Sequence, residues 1–205
     1  MTSKQAHWQS IYNTKDHQKV GWYQEVPKIS LDLLNKIKAD PTQSIIDVGC
    51  GASFLVDYLI KANFTKITLV DLSITALETI KKRLTIKGNI PIYLSADITQ
   101  VVLEQSYDIW HDRAVFHFLV EKVDRQNYMD QLAKYLAPNG HAIIGTFSPN
   151  GPISCSGLEI VQYNKDKMET ELPHSLKLEY SITDLNITPN GNEQEYNYFI
   201  IKKVK

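Results

Sequence analysis

The residues with chemistry to offer are three aspartates, each at or near the end of an apolar run. Asp47 lies in QSIIDV (43–48), Asp71 ends KITLVD (66–71) and Asp97 ends IPIYLSAD (90–97). Gly49-Cys50-Gly51 follows directly on the first run. The two glycines let the backbone turn sharply and approach a ligand closely. A dinucleotide fingerprint would continue Gly-x-Gly-x-x-Gly, its third glycine allowing close helix–strand packing. Phe54 stands at that position instead. A carboxylate at Asp47, two residues before the first glycine, would repel a pyrophosphate and attract an ammonium group. Asp71 lies 20 residues after Gly51, where an acid can take ribose hydroxyls. Asp97 is placed to meet an adenine amino group. The neighbours Leu72 and Ile98 belong to the same expected site.

S-adenosylmethionine meets these demands: an amino-acid tail, a sulfonium cation and no phosphate. Each acid alone reads equally as a solvated strand-end residue or a helix cap. The set of three at successive strand ends, with the glycine turn, carries the assignment.

These acids need a sheet to align them, and the chain supplies alternating patterns. SFLVDYLIKAN (53–63) has Phe54, Leu55, Tyr58, Leu59 and Ala62 on one helical face. SITALETIKKRLTIKG (73–88) is a second helix, capped by Ser73 and ended by Gly88. YDIWHD (107–112) is a fourth strand, DRQNYMDQLAKYLAPNG (124–140) a helix stopped by Pro138, Asn139 and Gly140, and HAIIGTF (141–147) a buried strand. Strand and helix in alternation predict a mostly parallel sheet with helices on both faces. LKLEYSITDL (176–185) and QEYNYFIIKK (194–203) alternate apolar and polar residues around an Asn-Gly turn, which predicts an antiparallel hairpin at one edge. Two short helices, in HWQSIYNTK and ISLDLLNKIKA, precede the first core strand, with the aromatic, irregular VGWYQEVP between them.

A length of 205 residues fits one domain: a lid over residues 1–40 and a catalytic core over 41–205. Lys and Arg number 22 against 23 Asp and Glu. That balance gives no fold-wide basic footprint for nucleic acid. Two cysteines, Cys50 and Cys155, make no disulfide framework, and no Cys/His cluster suggests a metal. No apolar stretch is long enough to span a bilayer, and the start lacks the apolar core of a signal peptide. The expectation is a cytoplasmic protein with no membrane or nucleic-acid partner. The oligomeric state stays open, a monomer being sufficient.

IIDVGCGAS, LVDLS and LSADI resemble the first three motifs of the class I S-adenosylmethionine-dependent methyltransferases, and the likeness covers about three-quarters of the chain. It implies a Rossmann-like α/β fold, a seven-stranded mostly parallel sheet whose last strand is antiparallel. It also implies S-adenosyl-L-methionine as cofactor and S-adenosyl-L-homocysteine as product. YDIWHDRAVFHFL, GTFSPNGPISCSGL and the aromatic amino terminus are similar to small bacterial enzymes of the thiopurine-methyltransferase style. Those carry Trp-Asp-Arg after the fourth strand, with the arginine near cofactor and substrate. Here His111 replaces the tryptophan, so the likeness extends to Asp112 and Arg113 only.

Methyl transfer is an in-line displacement on an activated carbon, so alignment and exclusion of water matter most. A base is needed only where the acceptor must first lose a proton. Asp112 and Arg113 are expected to face the cleft. Arg113 would steady an anionic acceptor or pair with Asp112 as a structural bridge. His117 would be a base, or a core histidine between Phe116 and Phe118. His111 would contact the cofactor or cap the strand end. Tyr12 and Trp22, with Trp8 and Tyr23, would wall the cofactor and meet the sulfonium with their ring faces; ordinary packing of a cover helix is the alternative. Cys155 reads as a reactive or acceptor-side thiol or, more commonly for a buried cysteine, as inert. The expected activity is methylation of a small molecule on sulfur, selenium, oxygen or nitrogen. The alternatives are protein lysine methylation, a non-catalytic cofactor-binding domain and a nicotinamide oxidoreductase.

Overall fold

In the computed structural model, which describes residues 2–84 and 91–204, the apolar runs become a single seven-stranded sheet. Its core strands are β1 (Ser44–Val48), β2 (Lys66–Asp71), β3 (Ile92–Ser95), β4 (Tyr107–Arg113) and β5 (Leu136–Phe147). The hairpin supplies β8 (Leu176–Ile187) and β9 (Glu193–Lys203), and a small separate ribbon supplies β6 (Ser154–Cys155) and β7 (Leu158–Glu159). The order is β3-β2-β1-β4-β5-β9-β8. The first five strands are mutually parallel, and β9 runs antiparallel to both β5 and β8. Strand order reverses between β1 and β4, and a crevice at the carboxyl ends is the expected ligand position there.

Both faces are covered, which is why β1 is buried along its whole length. On one face Leu33 and Leu34 of α2 (Lys28–Lys36), Leu55 and Leu59 of α3 (Leu55–Lys61) and Leu77 and Ile80 of α4 (Ile74–Leu84) pack together. On the other, Tyr128, Met129 and Leu132 of α5 (Lys122–Tyr135) meet Trp110, Phe116 and Phe199, and Met168 of α6 (Lys165–Glu171) joins them. Each such side chain contributes about 1.5–3 kcal/mol on burial. Ser73 caps α4, its hydroxyl accepting from the Ala76 N–H at 3.3 Å. The expected end of this helix at Gly88 lies outside the described residues.

One helix ends earlier than its pattern predicts. α5 stops at Tyr135, not at the Pro138-Asn139-Gly140 breaker, because the fully buried Leu136 already pairs with Tyr107 in the sheet. The breaker residues instead form an irregularity inside β5, which resumes its ladder at His141 opposite Ile109. Asn139 takes a φ of 61° there. A Cβ on Gly140 would lie 2.8 Å from the Ala137 carbonyl and 2.9 Å from that of Asp108.

The amino-terminal helix α1 (Ser3–Thr14) lies across the top of this frame. Gln9 and Asn13 bond Ser73 and Thr75 at the start of α4, and Lys4 pairs with Asp124 of α5 at 2.6 Å. The irregular segment after it is tied to the hairpin, Gln24 donating to Asn186 at 2.9 Å.

Candidate active site

The glycine turn leaves β1 with Gly49 at φ 61° and Gly51 at φ 54°, a region that L side chains rarely adopt. A Cβ on Gly49 would sit 2.0 Å from Val115, and one on Gly51 would sit 2.2 Å from the Tyr12 hydroxyl. Asp71 locks the turn. Its Oδ2 accepts the Gly51 N–H at 2.8 Å and its Oδ1 the Ser73 N–H at 2.7 Å. Burial nevertheless pushes the Asp71 carboxyl up to about 6, against the pull of those two donors. Asp97 holds the loop after β3, its Oδ1 accepting both the backbone N–H and the hydroxyl of Thr99.

Asp47 is part of a buried chain. Its Oδ1 meets His111 Nδ1 at 2.7 Å, and His111 Nε2 meets the Ser30 hydroxyl at 2.9 Å. β1 and β4 are in register at Asp47 and His111, so the sheet itself sets this contact. Both ring nitrogens of His111 are thereby engaged by protein groups, while the ring still lines the cleft.

One cleft brings most of the expected residues together: Asp47, Gly49 and Gly51 from the turn, Asp71, Leu72, Asp97 and Ile98 from the next two strand ends, and His111 and Arg113 from β4. Tyr12 and Trp22 roof it, as do Trp8 and Tyr23. Trp22 Nε1 donates to the Tyr12 hydroxyl at 3.3 Å, and Trp8 meets Phe118 edge-on with ring centres 5.0 Å apart.

Asp112 and His117 do not line it. Side chains alternate along a strand, so with His111 and Arg113 turned to the cleft, Asp112 faces the opposite side of the sheet. Its buried carboxylate accepts from the Tyr128 hydroxyl at 2.6 Å and from the Val115 and Phe116 N–H groups at 2.8 and 3.1 Å. Burial raises it to about 6. Nor does it pair with Arg113. His117 is fully buried between Phe118 and Phe147, its Nδ1 accepting the Phe147 N–H at 3.3 Å. Burial, reinforced by Arg113, pushes it down to about 3, which keeps it neutral. The expectation that these two side chains act in the cleft is therefore corrected.

Arg113 donates from Nε to the Tyr198 hydroxyl at 3.0 Å and from Nη1 to the Trp22 carbonyl at 2.8 Å. Gly145, its partner on β5, leaves room for the Tyr198 ring, which a Cβ there would meet at 2.5 Å.

The cleft also holds polar residues that the sequence does not single out, among them Lys4, His17 and Ser30. Ser30 had a readable signal, since it sits on the buried stripe of α2 with Ile29, Leu33 and Leu34. A polar residue on an apolar stripe needs a partner, and His111 is that partner. His17 lies in a polar loop with no periodicity to mark it. Among the described residues no group of three or more His, Cys, Asp or Glu could hold a metal ion, and no helix is long and apolar enough to cross a membrane.

The family model for a methyltransferase domain matches residues 46–144. A malonyl-[acyl-carrier protein] O-methyltransferase of Halalkalibacterium halodurans is 31% identical over 126 residues, 58% of this chain and 45% of that protein. The chain spans about half the length of the curated relatives it matches. Among solved structures, an S-adenosylmethionine-dependent methyltransferase from Anabaena variabilis aligns over 100% of this chain and 96% of its own, with TM-score 0.79 and 16% identity. The N-methyltransferase NodS from Bradyrhizobium japonicum, in complex with S-adenosyl-L-homocysteine, aligns over 97% and 99%, with TM-score 0.73 and 16% identity. The matched residues 46–144 hold the glycine turn and run from β1 into β5, so over the cofactor half of the sheet this chain is similar to methyltransferase domains, and its whole fold is the one those S-adenosylmethionine-dependent methyltransferase structures share.

Proposed function

We propose that this chain transfers a methyl group from S-adenosyl-L-methionine to a small-molecule acceptor, with residues 1–40 as a lid over the core. The observation that carries this reading is the opening of Asp47 of β1, Asp71 of β2 and Asp97 of the loop after β3 onto one cleft beside a glycine turn. The residues present fit this cofactor. The turn has no room for side chains at Gly49 or Gly51, and carboxylates line it where a phosphate ligand would require cations. Asp71 would take the ribose hydroxyls, Asp97 the adenine amino group with Leu72 and Ile98 beside the base, and Asp47 the ammonium. When bound, the cofactor supplies a methyl group on a sulfonium, already activated for transfer.

The chain's own part is to hold, cover and deprotonate. Tyr12 and Trp22 close over the turn and keep water out, which strengthens every charge contact beneath them. His111 fixes the Asp47 carboxylate and leaves no ring nitrogen for acceptor chemistry. Where the acceptor needs to lose a proton, we assign that role to His17, an imidazole that lines the cleft. The roof of aromatic rings favours a small acceptor over a protein side chain.

The test is transfer of labelled methyl from S-adenosylmethionine into a cell extract, followed by separation into protein and small-molecule fractions. Label in the small-molecule fraction, matched by S-adenosylhomocysteine, is the expected result. Label confined to protein would overturn the reading in favour of lysine methylation, and tight binding of NAD or NADP would overturn the cofactor.

A further inference from the structure

Arg113 carries a charge that no described carboxylate meets at ion-pair distance, Asp184 acting on it only from farther away. Its guanidinium has five N–H donors, and the protein uses two nitrogens, on the Tyr198 hydroxyl and the Trp22 carbonyl, both neutral acceptors. Nη2 is buried and has no hydrogen-bond partner among the described residues. The carbon of the fork stands 5.1 Å over the Tyr196 ring, and Asp184 supports the charge only from beyond ion-pair distance. A buried cation without an anion is costly, and such groups are retained where a ligand completes them. Arg113 is also held in place by packing that Gly145 makes possible, so the fork is presented in a fixed orientation.

Its position identifies the ligand. The three aspartates occupy β1, β2 and the end of β3, on one side of the glycine turn. Arg113 lies on the other side, between β4 and the β5–β9 half of the sheet, with Phe118 and Cys155 beside it in the cleft. The nucleoside is provided for at the aspartates, so the guanidinium faces the acceptor's half. A single fork suits one negative charge better than a dianionic phosphate, and its planar geometry matches a carboxylate.

We propose that Arg113 anchors a carboxylate on the methyl acceptor, making the substrates of this enzyme small carboxylic acids. The proposal rests on the methyltransferase reading above and adds the acceptor's chemical class. The other carboxylate able to reach the fork is that of the cofactor's own amino-acid tail, and the test separates the two.

The protein is saturated with S-adenosylhomocysteine and titrated calorimetrically with benzoate, phenylacetate and indole-3-acetate, each against its amide. The expected result is that at least one acid binds 10-fold or more tightly than its amide, and that Arg113→Met removes the difference. S-adenosylhomocysteine affinity should stay within about two-fold in the variant. Acids and amides binding alike, no acid binding at all, or a preference that survives in Arg113→Met would overturn the proposal. So would an Arg113→Met variant that loses affinity for S-adenosylhomocysteine but not for 5′-methylthioadenosine, which lacks the tail. Arg113→Lys, which keeps the charge and loses the fork, guards against misfolding and should retain part of the acid preference. Failure of the unaltered protein to bind S-adenosylhomocysteine would instead overturn the methyltransferase reading itself.

Discussion

Asp47 and His111 meet at 2.7 Å inside the cleft, and Ser30 of the covering helix α2 stands 2.9 Å behind the imidazole. Helix α2 is therefore tied to the residue that precedes the glycine turn through a buried histidine. Replacing His111 by Leu leaves the Asp47 carboxylate and the Ser30 hydroxyl buried without this partner, at a cost of about 1–3 kcal/mol for the unsatisfied group. Ser30→Ala removes only the outer hydrogen bond and should cost about 1 kcal/mol. Urea unfolding, with S-adenosylhomocysteine calorimetry beside it, checks both. His111→Leu should weaken binding as well as stability, whereas loss of stability with unchanged affinity would detach Asp47 from the cofactor.

Under the proposed cofactor placement, Asp71 should make binding sensitive to mild acid. Burial raises its carboxyl from the ordinary 3.8 to about 6. In the free protein the folded state therefore holds this proton more tightly than the unfolded chain. The group's contribution to stability is greatest below about pH 4 and is lost as pH rises from about 4 to 6. Ribose hydroxyls donate to the ionised carboxylate and favour it. Binding then releases a proton, and affinity should weaken as pH falls through about 6. Calorimetry near pH 6 in buffers of different ionisation enthalpy should reveal that proton, and Asp71→Asn should abolish it. No buffer dependence in the unaltered protein would remove Asp71 from the ligand contact.

Asp112 should matter to folding rather than to turnover. Its carboxylate joins β4 to the turn after it and to Tyr128 of α5, and does not itself line the cleft. Asp112→Ala leaves three buried donors without their acceptor, and a loss of about 3 kcal/mol or more is expected. kcat, measured at a temperature where the variant stays folded, should change less than about threefold, well under one factor of ten per 1.4 kcal/mol of barrier. A large fall in kcat in a stable Asp112→Asn protein would return the residue to the site.

The sheet was legible because its strands are apolar runs of strand length set between helical patterns, and buried parallel strands read that way. The three acids were legible only as a set: each alone reads equally as a strand-end residue or a helix cap, whereas three at successive strand ends beside a glycine turn point to one ligand. Asp112 and His117 misled because both lie in a segment rich in polar and aromatic residues, HDRAVFHF, where type alone does not give direction. Alternation along β4 decides it, and the phase becomes fixed only once the register with Asp47 is known. The helix end at Tyr135 was hidden because Leu136 satisfies the helical period as well as the sheet, and the sheet contact wins. His17 was unreadable, since its place in the cleft depends on how α1 docks on α4 through Gln9 and Asn13, a contact with no pattern in the sequence.

That docking makes its own prediction. Gly51 combines a φ of 54° with a position 2.2 Å from the Tyr12 hydroxyl, measured from where a Cβ would lie. Gly51→Ala therefore carries two penalties: left-handed backbone strain of about 1–2 kcal/mol, and a collision that pushes Tyr12, and with it the lid, off the turn. The two separate in a double-mutant cycle, because Tyr12→Phe removes the colliding oxygen but leaves the backbone strain. Tyr12→Phe alone loses the hydrogen bond from Trp22 and should cost about 0.5–1.5 kcal/mol. In the Gly51→Ala background the same change should instead recover stability and part of the S-adenosylhomocysteine affinity. A sign reversal of this kind arises only when the two side chains compete for one space. Simple additivity of the two substitutions would mean that Tyr12 does not rest on the glycine turn in solution, and the lid would have to close by another route.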